Sequence, residues 1–551
     1  MTYGTLAKTD RGWRLSEAPP HVAIRLKHIF PRLEKASRGP FHFPADDRTA
    51  ADLDWFRDRY PVSISPADNR ALIDGRLSHE ETLAGTEKIF SKTFKPPSYV
   101  GLQDGEEVRP YQAQAVELLR RSGGILLADD VGLGKTYTTC AALLVPGMLP
   151  GVVVCQPHLQ RQWVRVIERF TSLTAHAVKK TTPYDLPDAD VLVFRYTQLA
   201  GWVDTFDDLA PGLVAFDEIQ ELRRGTQAEK GKAALELVRS ATYRLGLSAT
   251  PIYNYGREIY TIFQYLNPEV LGDEFDFVRE WCSGYGNVIS DPLALGAFLR
   301  DSHVYLRRIK SDVGQQLPKV SKIVDRVDYD AAAVRSIDEL ARQLAIKATT
   351  GQFTQRGQAA RELDILVRQQ TGIAKAAAVA DVLRILVEGG EPVLVAGWHR
   401  DVYDIWAKRL SDLKPAYYTG TESAAGKDRE VRRFINGETD LMFMSLRSGA
   451  GLDGIQARCS TVVFGELDWS PGVHAQVIGR LDREGQTQPV TALFLVTDDG
   501  SDPPMMEMLG LKASQAAQIV DQGVGPQAAV TDRSRLKMLV ERYLQKGGRG
   551  S

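Results

Sequence analysis

Two stretches of the chain repeat one pattern, in which short β-branched apolar runs are bounded by turn residues and followed by a helical period. In the first stretch the runs are Gly124 to Ala128, Val152 to Cys155, Val191 to Phe194, Leu213 to Phe216 and Tyr243 to Leu247. In the second they are Pro392 to Ala396, Leu441 to Ser445, Thr461 to Phe464 and Val490 to Leu495. Such alternation predicts parallel α/β sheets, so the chain is expected to hold two α/β lobes. From about Tyr253 to Gly389 the pattern turns mostly helical, as in Ala331 to Leu344 and Ala359 to Val387. That is too long for a linker and predicts helical insertions plus the crossover between lobes. The first hundred residues form a Pro-rich accessory region whose fold the pattern leaves open. At the other end Leu536, Leu539, Val540, Tyr543 and Leu544 fall at helical spacing before Gly547 and Gly548, which predicts an amphipathic helix. The expected division is 1–105 accessory, 106–330 first lobe with its helical insertion from about 253, 331–388 insertion and crossover, 389–510 second lobe, and 511–551 helical tail.

At 551 residues the chain exceeds one ordinary core, and its 43% hydrophobic and 25% charged residues are those of a globular protein. The best apolar stretch, Ala141 to Cys155, is broken by Pro146 and Pro150, so no membrane span is expected. Lys8, Asp10, Arg11 and Arg14 precede any apolar run, unlike a secretory signal, and the expected location is cytoplasmic. Cys140, Cys155, Cys282 and Cys459 lie far apart, which argues against zinc and disulfides and predicts small buried apolar residues. The net charge of -2 requires any nucleic-acid site to be local. Residues 1–44 hold eight Lys/Arg against three acids, and a second basic excess lies in the last twenty residues. A solvated face and a phosphate-contacting one account for either excess equally well.

Chemistry enters with Ala128-Asp129-Asp130-Val131-Gly132-Leu133-Gly134-Lys135-Thr136, a glycine turn between a strand and a helix. Glycines let backbone N–H groups face a phosphate, Lys135 supplies positive charge to its outer oxygens, and the Thr136 hydroxyl can ligate magnesium. The strict GxxxxGK[ST] pattern needs Gly at 129, where this chain has Asp129, so the match is to AxxxGxGKT. A later run ends in Phe216-Asp217-Glu218-Ile219-Gln220, which puts two acids at the C-terminal edge of a buried strand, where open α/β sheets bind ligands. Asp217 is expected to hold the metal and Glu218 to orient and deprotonate an attacking water. In the second lobe, Gln476 to Gln486 carries Arg480 and Arg483, whose spacing predicts a shared helical face. An arginine delivered to a transferring phosphoryl group is worth roughly a thousandfold or more. Coming from the opposite lobe, it makes catalysis depend on closure.

In this order the pieces resemble the SNF2-like branch of superfamily 2 helicases and translocases. Arg109-Pro110-Tyr111-Gln112 is similar to the adenine-reading element, Ala128 to Thr136 to motif I, Cys155-Gln156-Pro157 through Gln162-Trp163 to motif Ia, Asp217 to Gln220 to motif II, and Leu247 to Pro251 to motif III. Ile252-Tyr253-Asn254, Leu306 to Lys310 and Leu317-Pro318 resemble elements particular to that branch, and Ser445 to Leu452 and Gln476 to Gln486 resemble motifs V and VI. Val463 to Val473 and Val395 to His399 look closest to the annealing-helicase subgroup. Gln220 and Asp482 stand where the family customarily has His, and motif V is spaced differently around Gly449 and Gly451.

The resemblance implies two RecA-like lobes and an ATP hydrolase with magnesium. Its nucleotide-binding set is Arg109, Gln112, Asp130, Gly132, Leu133, Gly134, Lys135, Thr136 and Gly451, its metal ligands Thr136 and Asp217, and its catalytic set Lys135, Asp217, Glu218, Arg480 and Arg483. Double-stranded or forked DNA is the implied partner, with Gln162, Thr197, Ser445 and Arg447 as contacts by position in the motifs. Trp163 and Trp398 could stack on bases, but burial beside a strand is the expected role. A protein partner through residues 1–105 or the C-terminal helix is also expected. The expected activity is translocation on duplex DNA with remodelling or reannealing; a strand-separating helicase on single-stranded DNA or RNA and a nucleotide-gated subunit of a larger complex are the alternatives. The compact size suggests a prokaryotic or phage source.

Overall fold

The structure, a computed structural model, describes residues 2–91, 93–248, 258–283, 288–314, 319–350, 353–446, 452, 454–509, 540, 543 and 544. Arg447, Gly451, Ala249 to Asn254, Leu317-Pro318 and most of the C-terminal helix fall outside the described residues.

The accessory region folds around its own core. Strands β1 (Thr5–Thr9), β2 (Gly12–Ser16), β3 (Phe41–Phe43) and β4 (Ser63–Ile64) form a sheet in the order β3-β2-β1-β4. Helices α1 (Pro20–Ile29), α2 (Asp47–Arg59) and α3 (Pro66–Phe90) cover one face. Strand alternation sends Leu6, Trp13, Leu15, Phe41 and Phe43 into a core with Leu26, Leu53, Phe56 and Leu72. Arg14 and His42, opposite one another across the strands, point the other way and are exposed.

After helix α4 (Pro110–Ser122), seven parallel strands build the first lobe: β5 (Gly124–Leu127), β6 (Gly151–Cys155), β7 (Ala175–Ala177), β8 (Val191–Arg195), β9 (Leu213–Asp217) and β10 (Tyr243–Leu247), completed by β13 (Tyr305–Leu306). A two-stranded ribbon, β11 (Cys282–Ser283) and β12 (Val288–Ile289), intervenes. The sheet order is β13-β5-β10-β9-β6-β8-β7. These strands read as continuous apolar runs because both faces are covered. Leu126, Val152, Val154, Phe194, Val214 and Phe216 serve one core, while Ile125, Leu127, Val153, Cys155, Val193 and Ala215 serve the other.

The second lobe repeats the plan with β14 (Val320–Arg326), β15 (Val393–Gly397), β16 (Ala416–Tyr418), β17 (Leu441–Ser445), β18 (Thr461–Phe464) and β19 (Val490–Val496), all parallel, in the order β14-β19-β18-β15-β17-β16. The two α/β lobes are therefore present. The boundary near residue 330 is corrected: β14 already pairs with β19, so the chain leaves the first sheet at Leu306 and enters the second at Val320. Residues 331–388 are not a crossover either. The long helix Phe353–Glu388 lies on the second lobe, giving Leu363 and Val367 to one of its cores and Ala376, Val379 and Leu383 to the other. Of the expected C-terminal helix, Val540 and Tyr543 are helical and buried in the same lobe.

Candidate functional site

Strand β5 points its C-terminal end at a turn, Asp129 to Gly134, which opens helix α5 (Lys135–Leu143). Gly132 and Gly134 have φ of 91° and 72°, a region that L side chains rarely enter, and a Cβ on Gly134 would meet Gln112 Nε2 at 2.7 Å. Asp129, at the place where the strict pattern has glycine, is the anchor of the turn. Its buried carboxylate accepts the backbone N–H and Nε–H of Arg308, each at 3.0 Å, and pairs with Nη2 of the same guanidinium. Arg308 also donates to the Tyr111 carbonyl, and the Tyr111 hydroxyl donates to Leu133 O at 3.1 Å. Lys135 Nζ lies 2.6 Å from Asp129 O and 3.3 Å from Asp130 O. Burial pushes this amine below the ordinary lysine range, against the pull of Glu218, Asp129 and Asp217.

Asp217 ends β9 two strands from β5, with β10 between. Burial, then the adjacent Glu218, pushes its carboxyl up to about 6, opposed by a hydrogen bond from Trp163 and by Lys135 and Arg480. That bond runs from Trp163 Nε1 to Asp217 Oδ2 at 2.9 Å, and the Tyr196 hydroxyl donates to Asp217 O, also at 2.9 Å. Trp163 sits on helix α6 (Gln160–Phe170) and is 3% exposed, so it is a buried partner of the acid. Glu218 is held in the left-handed region, φ 53°, at the sharp exit from the strand. Its Oε2 accepts Gln220 Nε2 at 2.6 Å, which gives the unusual Gln220 a direct contact with the second acid.

From the second lobe, Arg480 and Arg483 face the same space. They do not share a helical face: the helix Pro471–Ile478 stops short of them, and both lie in the turns that follow. Gly479, whose Cβ would meet Val131 Cγ1 at 2.5 Å, packs this turn directly against the phosphate loop. One cavity of about 550 Å³ is lined by Gly132, Lys135, Thr136, Asp217 and Glu218 from the first lobe and by Arg480 and Arg483 from the second. Arg109, Gln112 and Gly134 line it as well. The Gln112 side chain is fixed by accepting the Arg109 N–H at 3.0 Å.

Other expected residues stand elsewhere. Leu133 is buried under the loop and Asp130 is tied through its N–H to Arg308 O at 2.9 Å; neither lines the cavity. Gln162, expected on DNA, is on the cavity wall, and Ser445 is buried at the end of β17; Thr197 is exposed just beyond β8. Arg308, Lys310 and Asp482 were not singled out as site residues, although the Asp129 and Asp482 departures marked where to look. Lys310 Nζ donates to both the carboxylate and the carbonyl of Asp482, and Arg109 pairs with Glu484, so both contacts join the lobes.

Among the described residues no helix is long and apolar enough to cross a membrane. A family profile described as the SNF2-related domain matches residues 53–373. The chain is 27% identical over 434 residues to the SWI/SNF-related matrix-associated actin-dependent regulator of chromatin subfamily A-like protein 1 of Xenopus tropicalis, covering 76% of this chain and 46% of that protein. It is 27% identical over 437 residues to the DNA annealing helicase and endonuclease ZRANB3 of Mus musculus, covering 73% and 40% respectively. It thus spans less than half of each of these relatives. The Sulfolobus solfataricus SWI2/SNF2 ATPase core in complex with dsDNA aligns over 78% of this chain and 95% of that one, at 20% identity and a TM-score of 0.39. The expected prokaryotic or phage source finds no support in the two curated relatives, which are animal proteins. With more than half its length matched by one family profile and the motif residues gathered on a cleft between two parallel-sheet lobes, the chain belongs to the SNF2-related domain family.

Proposed function

We propose that this protein is a DNA-dependent ATPase that moves along double-stranded DNA and remodels or reanneals DNA structures or protein–DNA complexes. The observation that carries the reading is the single cavity shared by Lys135, Thr136, Asp217 and Glu218 on one lobe and Arg480 and Arg483 on the other. ATP suits this cavity, with its base toward Arg109 and Gln112 and its phosphates on the turn around Gly132 and Gly134. Thr136 and Asp217 would hold magnesium, because a hydroxyl and a buried carboxylate on one wall are the oxygen donors that ion takes. When bound, the ion neutralises phosphate charge. Lys135 exchanges two loop carbonyls for phosphate oxygens, Glu218 takes the proton of the attacking water, and the two arginines meet the charge that spreads over the γ-phosphate.

Because the arginines come from the other lobe, each hydrolytic cycle requires the cleft to close, and this ties ATP turnover to relative motion of two surfaces that grip DNA. The name of the murine relative, an annealing helicase, supports the DNA-remodelling part of the reading. Contacts to phosphates make such a grip indifferent to sequence and steeply salt-dependent. Thr197, exposed beyond β8, is open to such a contact.

The test is steady-state ATP hydrolysis without nucleic acid and with single-stranded, duplex and forked DNA and RNA. Duplex or forked DNA is expected to stimulate strongly; Lys135→Ala abolishes the rate, and Glu218→Gln lowers it by about a hundredfold or more while nucleotide still binds. Displacement of a triplex strand without unwinding is the expected signature of translocation. Stimulation by single strands or RNA alone, with displacement of a labelled strand from a tailed duplex, overturns the duplex reading in favour of a strand-separating helicase.

A further inference from the structure

The loop that carries Arg480 and Arg483 begins where the helix Pro471–Ile478 ends. Its own lobe holds its main chain, through the Asp482 N–H on Ile478 O at 2.9 Å, the wholly buried Leu481 side chain and, at its end, Gln486, whose Nε2 donates to Cys459 O at 2.9 Å. The first lobe adds contacts on the other side. Lys310 Nζ reaches both the carboxylate and the backbone carbonyl of Asp482, the residue between the two arginines. These side chains are only 16% and 18% exposed, so the pair is shielded from the solvent screening that makes most surface ion pairs worth little. Arg109 with Glu484 adds a second, more exposed link.

Lys310 is itself fixed to the phosphate loop. It follows two residues after Arg308, whose guanidinium is locked on Asp129. At Gly132 the parts meet: a Cβ there would lie 3.3 Å from Asp482 O, 3.4 Å from Lys310 Cε and 3.5 Å from Arg483 Cβ. A continuous path of contacts therefore runs from the strand turn through Arg308 and Lys310 to Asp482 and the arginines. Neither Lys310 nor Asp482 lines the cavity.

We infer that Lys310 and Asp482 form a closure clasp between the lobes, a pair of positioning residues that sets where Arg480 and Arg483 stand over the phosphate loop. The inference rests on reading the cleft as the ATPase site. The clasp forms as the cleft shuts, because its members belong to different lobes, and its registry is fixed because Lys310 bonds to the main chain of the arginine loop as well as to its side chain. Losing it leaves nucleotide binding on the first lobe intact and lets the arginines wander, and a displacement of about 1 Å in such a group can cost on the order of a hundredfold.

A double-mutant cycle tests this on the full chain: Lys310→Met, Asp482→Asn and the two together, with the conservative Lys310→Arg beside them. Each variant is measured for kcat and KM of DNA-stimulated hydrolysis, for binding of a fluorescent ADP with magnesium, and for lobe separation by energy transfer between dyes on the outer faces of the lobes. Lys310→Met and Asp482→Asn are each expected to lower kcat about tenfold or more with KM and ADP binding within about twofold. The double variant should be no worse than the poorer single, the signature of coupled residues, and Lys310→Arg, which keeps donors for both oxygens of Asp482, should keep most of the rate. Energy transfer should fall in the Met and Asn variants and hold in Lys310→Arg. Independent, multiplying losses, an unchanged kcat in the Met and Asn variants, or a loss in Lys310→Arg as large as in Lys310→Met overturns the clasp. A wild-type chain that shows no hydrolysis with any nucleic acid refutes the ATPase reading instead, and the clasp is then judged by energy transfer alone.

Discussion

The indole N–H of Trp163 is the one side-chain donor seen on the Asp217 carboxylate among the described residues, and the ring around it is buried. Groups that orient a metal's ligands typically matter about 10- to 100-fold in metal affinity. Trp163→Phe keeps the packing and removes the donor, so the magnesium concentration that half-saturates fluorescent ADP binding should rise about tenfold at pH 8, with metal-free nucleotide binding unchanged. His474 illustrates a different constraint. With Nδ1 donating to Ser470 O at 3.1 Å and Nε2 accepting the Asp468 N–H at 3.3 Å, the neutral ring satisfies both neighbours. Burial pushes its pKa from 6.5 to about 4. The unfolded chain takes up this proton first, so the stabilisation is complete above pH 6.5 and is lost as pH falls toward 4, by up to about 3 kcal/mol. Thermal unfolding followed from pH 7.5 to 4.5 should show that slope, and His474→Phe should flatten it. At this scale the gathering of Lys135, Thr136, Asp217 and Glu218 on one cavity was legible, because the tasks proposed for them can be done by only a few residue types. What could not be read was who holds them. Trp163 read as a ring buried beside a strand in preference to a base-stacking one, but its partner lies too far away in sequence to be read, and Asp129 read only as a missing glycine until Arg308 came to meet it.

Elements divide in the same way. The strands found from pattern alone are the central ones, covered on both faces and therefore written as unbroken apolar runs. Those missed in the two parallel sheets, β7, β13, β14 and β16, lie at sheet edges, and pairing with a neighbour makes them strands. β14, with Lys322, Asp325 and Arg326 among its residues, has the polar character of an edge, and this moved the lobe boundary. Arg480 and Arg483 fail as a helical pair because spacing fixes a face only while the helix lasts. The long helix Phe353–Glu388 joins its lobe through more than apolar contact. Lys375 Nζ donates to Leu495 O at 2.7 Å and to Asp502 Oδ2 at 2.8 Å, with both side chains almost wholly buried. Lys375→Met leaves the Asp502 charge without its partner, and the second lobe should lose about 3–5 kcal/mol in urea unfolding, with faster amide exchange along β19.

At the scale of the molecule, three bodies are joined largely by arginines and lysines. The accessory unit grips the first lobe through Arg32, which bonds Glu280 at 2.8 Å and Val270 O at 3.0 Å, and through Arg48, which reaches Ser302 at 2.8 Å and covers the Phe298 ring. Replacing both by alanine should free this unit, read as faster tryptic cleavage between residues 92 and 105 with hydrolysis on the lobes retained. None of these junctions was legible, because ion pairs between distant segments leave no periodic trace. The crossing from Leu306 to Val320 has a mechanical consequence. Where the chain leaves the first sheet it is bolted through Arg308 to the Asp129–Gly134 turn, so this end of the crossing sits beside the cavity. On the proposed reading, a nucleotide there works on the short arm of a lever whose long arm ends at the outer rim of the second lobe, so a small tightening around a phosphate is geared up into a larger sweep at the rim, at the expense of force.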